Sequence, residues 1–422
     1  MSTPPEDPRP DDAYPDPARS AQESQVRYVL NELGDVLEPG PPGWRETGIE
    51  YFVRRGYLMV DETFYDEGRR VLTPGRLTGP DDEPPEGGPR DGQRIDGRRW
   101  IRLHGDADTF RAMADINDAA GDEVARLEYA VHIASGCCPA DEPTPVAPGA
   151  APDPPVSADR TAGAGIRVVV LDTGFDPAAA TLSWMRDVQG DPDPGLGAAV
   201  LPRYAGHGTF IAGVVRAMAP RAEVIVRQAF GPLGVVMESD LVAALERTLR
   251  YDQPDVINLS GGTNVESVRG PSLLNAFYER VFRRYPGVAL IAAAGNDNSR
   301  RHFWPAAASW ATGVGALAPD WRSRAPFSNH GSWVDVYAPG QHLINAFPSG
   351  PYVYQEPPRT GTQVQFAGMA SWSGTSFAAP VVAGLVAARM SRTGENGPAA
   401  VAALLAEARA AAVTGVGAVL VP

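Results

Sequence analysis

Ser376 stands in the run Gly374-Thr375-Ser376-Phe377-Ala378-Ala379-Pro380, and a strongly apolar segment follows it to Met390. A sequence of this kind places a hydroxyl at the start of a buried helix. Unpaired backbone N–H groups and the positive end of the helix dipole favour negative charge there. A serine that attacks a carbonyl generates an oxyanion, so the position suits a nucleophile. Pro380 fits, because proline is tolerated in a first helical turn. Taken alone, a Gly-x-Ser helix start is ordinary capping chemistry. Two further signals change that. Asp172-Thr173-Gly174 ends the β-branched run Val168 to Leu171, and α/β folds gather polar groups at the C-terminal ends of such strands. Gly206-His207-Gly208-Thr209 precedes the apolar stretch Phe210 to Val215, which reads as a second buried helix. An Asp, a His and a Ser in this order, each at the edge of a predicted core element, are hard to explain as packing.

These residues resemble the subtilisin-like serine proteases, the subtilases. The resemblance rests on Asp172-Thr173-Gly174, His207-Gly208-Thr209 and the run from Gly374 to Pro380. Val256-Ile257-Asn258-Leu259-Ser260-Gly261-Gly262, Ala292-Ala293-Ala294-Gly295-Asn296 and the run from Phe327 to Val336 continue it. It spans residues from about 160 to 420. It implies a three-layer α/β/α domain with a mostly parallel central sheet. The apolar segments Ile166 to Leu171, Glu223 to Val226, Val256 to Leu259 and Val288 to Ala293 are the buried strands such a sheet requires.

The resemblance also implies roles. Ser376 is a weak nucleophile at neutral pH unless a base takes its proton, and His207 is the natural base. Asp172 would hold the imidazole in one tautomer and stabilise its charged form. The Asn296 side chain and the Ser376 backbone N–H would bind the oxyanion. In subtilisin itself, loss of such a donor costs about 10²–10³ in turnover. The bland reading of Asn296 is a turn residue, since Gly-Asn favours turns. Ser260, Gly261 and Gly262 would bind an extended substrate as an added β-strand, because glycines leave the backbone open to a close neighbour. This stretch is one residue shorter than the commoner family form, which leaves the register open. The bland reading is a tight strand–turn, and both can hold.

Composition limits the other possibilities. The chain has 422 residues, enough for more than one domain. A net charge of −14 argues against a nucleic-acid partner. No apolar run reaches transmembrane length, and the acidic, proline-rich start lacks the apolar core of a secretory signal. These features point to a cytoplasmic protein. Cys137 and Cys138 are adjacent, so they cannot staple distant segments and read as ordinary thiols. The proposed chemistry requires no cofactor. Calcium sites are frequent in the family, but no calcium-loop pattern stands out here.

The chain divides into four parts. Residues 1–20 predict disorder. Residues 21–138 form a smaller α/β domain, and residues 139–160, with seven prolines, read as an extended exposed linker. Residues 161–422 form the catalytic domain, whose last helix is expected over Pro398 to Ala412. In the smaller domain the spacing predicts a helix from Gln22 to Leu33 and a strand from Ile49 to Val60. A long loop from Leu72 to Asp96 follows, then a strand from Arg98 to Leu103. A helix from Asp106 to Ala119, capped by Asp106, and a strand from Val124 to Ile133 complete it. Subtilases often carry a small α/β prodomain that covers the cleft and assists folding, and this domain suits that role by position and size. His104, His132, His302, His330 and His342 read as surface or structural residues. Phe303, Trp304, Trp310, Trp333 and Trp372 line core or cleft, with Trp372 near enough to Ser376 to shape a subsite. Three functions are consistent with the sequence. One is a peptidase held by its own N-terminal domain and cut after it, between about residues 134 and 160. The second is a processing protease that keeps that domain to recognise one peptide or protein. The third is a silent binding protein with the same fold.

Overall fold

The computed structural model describes residues 26–133 and 142–422, except 73, 79–82, 86, 106 and 148. The acidic tail, Cys137, Cys138 and the expected cap Asp106 lie outside the described residues.

A seven-stranded sheet organises the larger domain. Its order across the sheet is Gln189–Gly190, Glu223–Gln228, Arg167–Asp172, Val256–Leu259, Ala289–Ala293, Thr312–Leu317 and Val336–Pro339. Every pairing in it is parallel. Helices cover both faces, which is why Val168 to Val170 and Val256 to Leu259 carry apolar groups with little alternation. One face packs against His207–Met218, Thr375–Thr393 and Gly397–Ala410. The other packs against Glu238–Arg247 and Ser272–Arg280. This is the expected three-layer α/β/α architecture. The last helix starts one residue before the expected Pro398, because the Asn396 side chain accepts from the Ala399 N–H and caps it.

The smaller domain is built on a four-stranded antiparallel sheet, in the order Arg94–Ile95, Arg98–Arg102, Tyr57–Asp61 and Ala125–Arg126. Leu58, Val60 and Ile101 point to one face and pack on the helix Thr109–Ala120 through Ala112 and Ile116. Tyr57, Met59 and Trp100 point to the other and meet Leu273 of the larger domain. The expected single strand from Ile49 to Val60 is two, Tyr51–Arg54 and Tyr57–Asp61, with different partners. Gly56, at φ 72°, makes the corner between them. The expected strand from Val124 to Ile133 is likewise two short pieces, Ala125–Arg126 and Ala130–His132. The cap of Thr109–Ala120 is Asp108, which accepts from the Arg111 N–H at 2.9 Å. Residues 26–33 are helical.

The segment expected to be an exposed linker lies on the larger domain over much of its described length. Glu142 is buried. Thr144–Pro145 pairs antiparallel with Ser371 and Ala370, and Asp153 bridges to Ile344. Proline lacks a donor but is accepted on an outer strand, so a proline-rich stretch can still be added there.

Candidate active site

Asp172 ends the Arg167–Asp172 strand at the edge of the sheet's C-terminal crevice, and both Asp172 and His207 are buried. His207 Nδ1 lies 2.8 Å from Asp172 Oδ1. The His207 helix starts at Gly206, whose φ of 80° favours glycine. A Cβ at Gly206 would also sit 2.2 Å from Pro348 Cδ, so no other residue fits this corner without movement. Behind the imidazole, Trp372 packs edge-on at 5.3 Å and Phe377 lies at 5.2 Å. Trp372 also meets Phe210 and Phe347 and is buried, so it forms the wall behind His207.

Asp193 is a site residue that the sequence did not reveal. Its Oδ2 accepts from the Gly206 N–H at 2.8 Å and from the Thr173 hydroxyl at 3.0 Å, and its Oδ1 accepts from the Gly195 N–H at 2.8 Å. The Thr173 oxygen in turn accepts from the Gly208 N–H at 3.2 Å. One buried carboxylate therefore ties the Asp172 strand end to the start of the His207 helix. Burial raises its pKa despite these donors.

Ser376 lies in the first turn of Thr375–Thr393, and Pro380 is therefore in the second turn rather than the first. Without an N–H, Pro380 cannot bond to the carbonyl of Ser376 four residues earlier. The Ser260 hydroxyl donates to that carbonyl instead, at 2.8 Å, while accepting from Asn258 Nδ2 at 3.0 Å. Ser260 thus holds the backbone of Ser376. Among the described residues no hydrogen bond joins Ser376 to His207. The Ser376 hydroxyl faces the carbonyl oxygens of Ile133 at 3.3 Å and Ser260 at 3.4 Å.

Asn296 is buried beside the same helix start. Its Oδ1 accepts from both the N–H and the hydroxyl of Thr375, each at 2.9 Å, which fixes the amide orientation. Asn329 supports this loop from behind. Its Nδ2 donates to the Ala294 carbonyl, and its Oδ1 accepts from the N–H groups of Asp297 and Ser299, all at 2.9 Å. Asn329 falls within the Phe327 to Val336 motif, but a lone asparagine in a loop carries no sign of this role.

The strand Ala130–His132 and the following Ile133 lie beside Ser376. His132 and Gly262 exchange two backbone hydrogen bonds of 2.9 Å. The Ile133 N–H donates to the Gly234 carbonyl at 3.0 Å. On its other edge Ala130–His132 pairs antiparallel with Val235–Met237. Gly262 is thus paired with a strand within the stretch Ser260 to Gly262 where strand addition was expected with its register open. A Cβ on Gly262 would meet the Phe303 ring at 2.4 Å, and one on Gly261 would meet the Phe230 ring at 2.7 Å. His132, expected at the surface or in a structural role, is 5 % exposed and lies against Phe52. Burial pushes its pKa down to about 4.

Carboxylates set the seam beside this strand. Glu128, paired with Arg54, accepts from the Ser239 N–H at 3.0 Å, at the start of Glu238–Arg247. Glu238 accepts from the N–H groups of Leu273 and Leu274 at 2.7 and 2.9 Å, and its own N–H donates to the Tyr129 carbonyl. Burial, reinforced by the nearby Glu128, raises Glu238 to about 8, outweighing the amides that favour its charge. Among the described residues no group of three or more His, Cys, Asp or Glu side chains could hold a metal ion. No helix among them is long and apolar enough to cross a membrane.

Residues 163–418 match the family Peptidase_S8, the subtilase family. The chain belongs to the subtilase family. Subtilisin-like protease 1 of Trichophyton rubrum is 30% identical over 254 residues, covering 57% of this chain and 44% of that protein. The intracellular serine protease of Paenibacillus polymyxa is 27% identical over 252 residues, covering 54% of this chain and 68% of that protein. The matched region amounts to about half the length of the Trichophyton relatives, 44% and 56% in two species. Among solved structures, the patellamide maturation protease PatA aligns with a TM-score of 0.46 at 26% identity, over 60% of this chain and 88% of that one. A cold adapted subtilisin-like serine proteinase aligns with a TM-score of 0.47 at 22% identity, over 63% and 91%. The N-terminal domain lies outside the family match.

Proposed function

We propose that this protein is a serine endopeptidase whose N-terminal domain occupies its cleft as an intramolecular inhibitor. Ser376 Oγ attacks the carbonyl carbon of a bound peptide, and His207 Nε2 takes its proton. Asp172 keeps the other ring nitrogen protonated and stabilises the imidazolium. The negative charge on the carbonyl oxygen is met by Asn296 Nδ2 and the Ser376 N–H. Collapse breaks the C–N bond, the proton passes from His207 to the leaving amine, and a Ser376 ester remains. Water then cleaves that ester with His207 again as base. Before this cycle, the Ser376 hydroxyl has to turn from its carbonyl partners to His207.

The observation that carries the reading is the strand from Ala130 to Ile133. It is paired on both edges and ends with its carbonyl 3.3 Å from the nucleophile. A substrate would bind in that way. The bond cut in cis then lies at or just beyond Ile133, before the docked Glu142. A fluorophosphonate probe tests the chemistry. Matured wild-type protein should be labelled at Ser376, and Ser376→Ala and His207→Ala should not. Absence of label on matured, folded wild type would instead favour a silent binding protein.

The buried Glu128–Arg54 pair and the apolar contact of Tyr57, Met59 and Trp100 with Leu273 favour a second reading. In it, the N-terminal domain stays attached and presents one dedicated peptide or protein. An unchanged chain mass together with cleavage of a specific peptide would select it. The likeness to an intracellular serine protease and the two adjacent cysteines support a cytoplasmic setting for either reading.

A further inference from the structure

Glu142, the first described residue after Ile133, lies in the larger domain. It is 2 % exposed, and three donors surround it. Its Oε1 accepts from the Tyr352 hydroxyl at 2.7 Å and from the Gln355 N–H at 2.9 Å, and its Oε2 accepts from the Glu356 N–H at 3.1 Å. Two successive backbone amides aimed at one carboxylate form an anion-binding corner. Tyr352 is fully buried, in the hairpin of Gly350–Val353 and Gln363–Phe366. Arg203, 2 % exposed, ion-pairs with Glu356, whose N–H is one of these donors.

Next to this corner, Thr144–Pro145 runs antiparallel to Ala370 and Ser371, and the same chain reaches Ser376 five residues later. The Thr144 hydroxyl adds a bond to the Ser371 carbonyl at 3.3 Å. The corner therefore adjoins an edge on which this chain's own Thr144–Pro145 lies extended.

We propose that Tyr352 and the Gln355 and Glu356 amides form a carboxylate-binding subsite, which on the reading proposed above lies downstream of the cut. Its resting occupant is Glu142, and it takes an acidic side chain of an extended peptide when Glu142 is removed. The subsite is separate from the catalytic residues, and its test does not require Ser376 to turn over.

The experiment uses the full chain carrying Ser376→Ala, so that no cutting complicates binding. The probe is a fluorescent peptide with the sequence of residues 142–147, Glu-Pro-Thr-Pro-Val-Ala, blocked at both ends. It is compared with the same peptide in which Gln replaces the Glu. Binding is measured by anisotropy to the parent and to its Glu142→Ala form. The Glu peptide is expected to bind the Glu142→Ala form, with the Gln peptide at least about tenfold weaker, since hydrogen bonds to a charged group are the stronger ones. The parent, with its subsite filled, should bind the Glu peptide at least about tenfold more weakly than the Glu142→Ala form. Glu142→Ser, which also vacates the corner, repeats the test if Glu142→Ala fails to fold. Adding Tyr352→Phe should weaken the Glu peptide selectively. Equal binding of the two peptides, no binding to either Glu142 variant, or equal binding by the parent would overturn the proposal.

Discussion

Acid should loosen the docking of the strand Ala130–His132 against Gly262, and His132 should be the cause. The imidazole is buried beside Phe52, its Nε2 has no hydrogen-bond partner among the described residues, and burial holds its pKa near 4 against 6.5 for the free side chain. Once the strand leaves the cleft, the ring meets water and recovers its ordinary affinity for protons. Between these two values the undocked form binds more protons than the docked one, so docking is strongest above pH 6.5 and is lost as pH falls toward 4. From pH 7.5 to pH 5 the docking equilibrium should weaken by about ten- to thirtyfold, or about 2 kcal/mol. Hydrogen exchange at the Gly262 amide reads this directly, because that N–H donates to the His132 carbonyl. The measurement uses the Ser376→Ala chain, with exchange corrected for intrinsic pH dependence. His132→Phe keeps an aromatic ring against Phe52 and has no proton to gain, so its corrected protection should vary much less. If the chain with His132 and its His132→Phe form give the same pH dependence, the reasoning about His132 is wrong.

Other substitutions separate the remaining contacts. Glu238 is raised from 4.5 to about 8, so the folded state holds a proton that the unfolded state releases above pH 4.5. Its contribution is lost as pH rises toward 8, by roughly 3 kcal/mol from pH 5, and Glu238→Gln should flatten that decline in urea unfolding of the Ser376→Ala chain. Asp193→Asn would set an amide N–H₂ against one of the three donors that Asp193 accepts. It should lower kcat of the matured enzyme about tenfold or more with little change in KM; an unchanged kcat would remove Asp193 from any positioning role. Ser260→Ala leaves the Ser376 carbonyl without its hydroxyl donor, since Pro380 has no N–H to offer. It should cost about 1–3 kcal/mol in chemical unfolding, and a cost near zero would contradict the pinning role.

Much of the larger domain was readable because its chemistry and its architecture share the same signals. Buried parallel strands appear as unbroken apolar runs such as Val168 to Leu171, and Asp172 stands where such a run stops. Glycines at Gly206 and Gly374 mark the corners from which His207 and Ser376 enter their helices. The rest depended on long-range partners. Asp193 sits in a Pro- and Gly-rich loop, Asp-Pro-Asp-Pro-Gly, and acts only because Gly206 and Thr173 come to meet it. His132 belongs to a three-residue strand whose two partners lie about a hundred residues or more downstream. Proline content made residues 139–160 look unattached, but composition says nothing of the buried corner that Glu142 fills. At Gly56 the alternating pattern continues across a turn, so a single strand was expected where two exist. Pro380 shows the reverse case: local geometry placed it one turn early, and the compensating Ser260 hydroxyl comes from a different strand end.

The most direct measurement is the intact mass of freshly purified full-length protein, followed over time for wild type beside Ser376→Ala. Wild type should separate into two fragments by a cut C-terminal to Ile133 and before Glu142, and Ser376→Ala should remain one chain. Wild type that stays whole at neutral and acidic pH, or a Ser376→Ala chain cut at the same bond, would contradict the account.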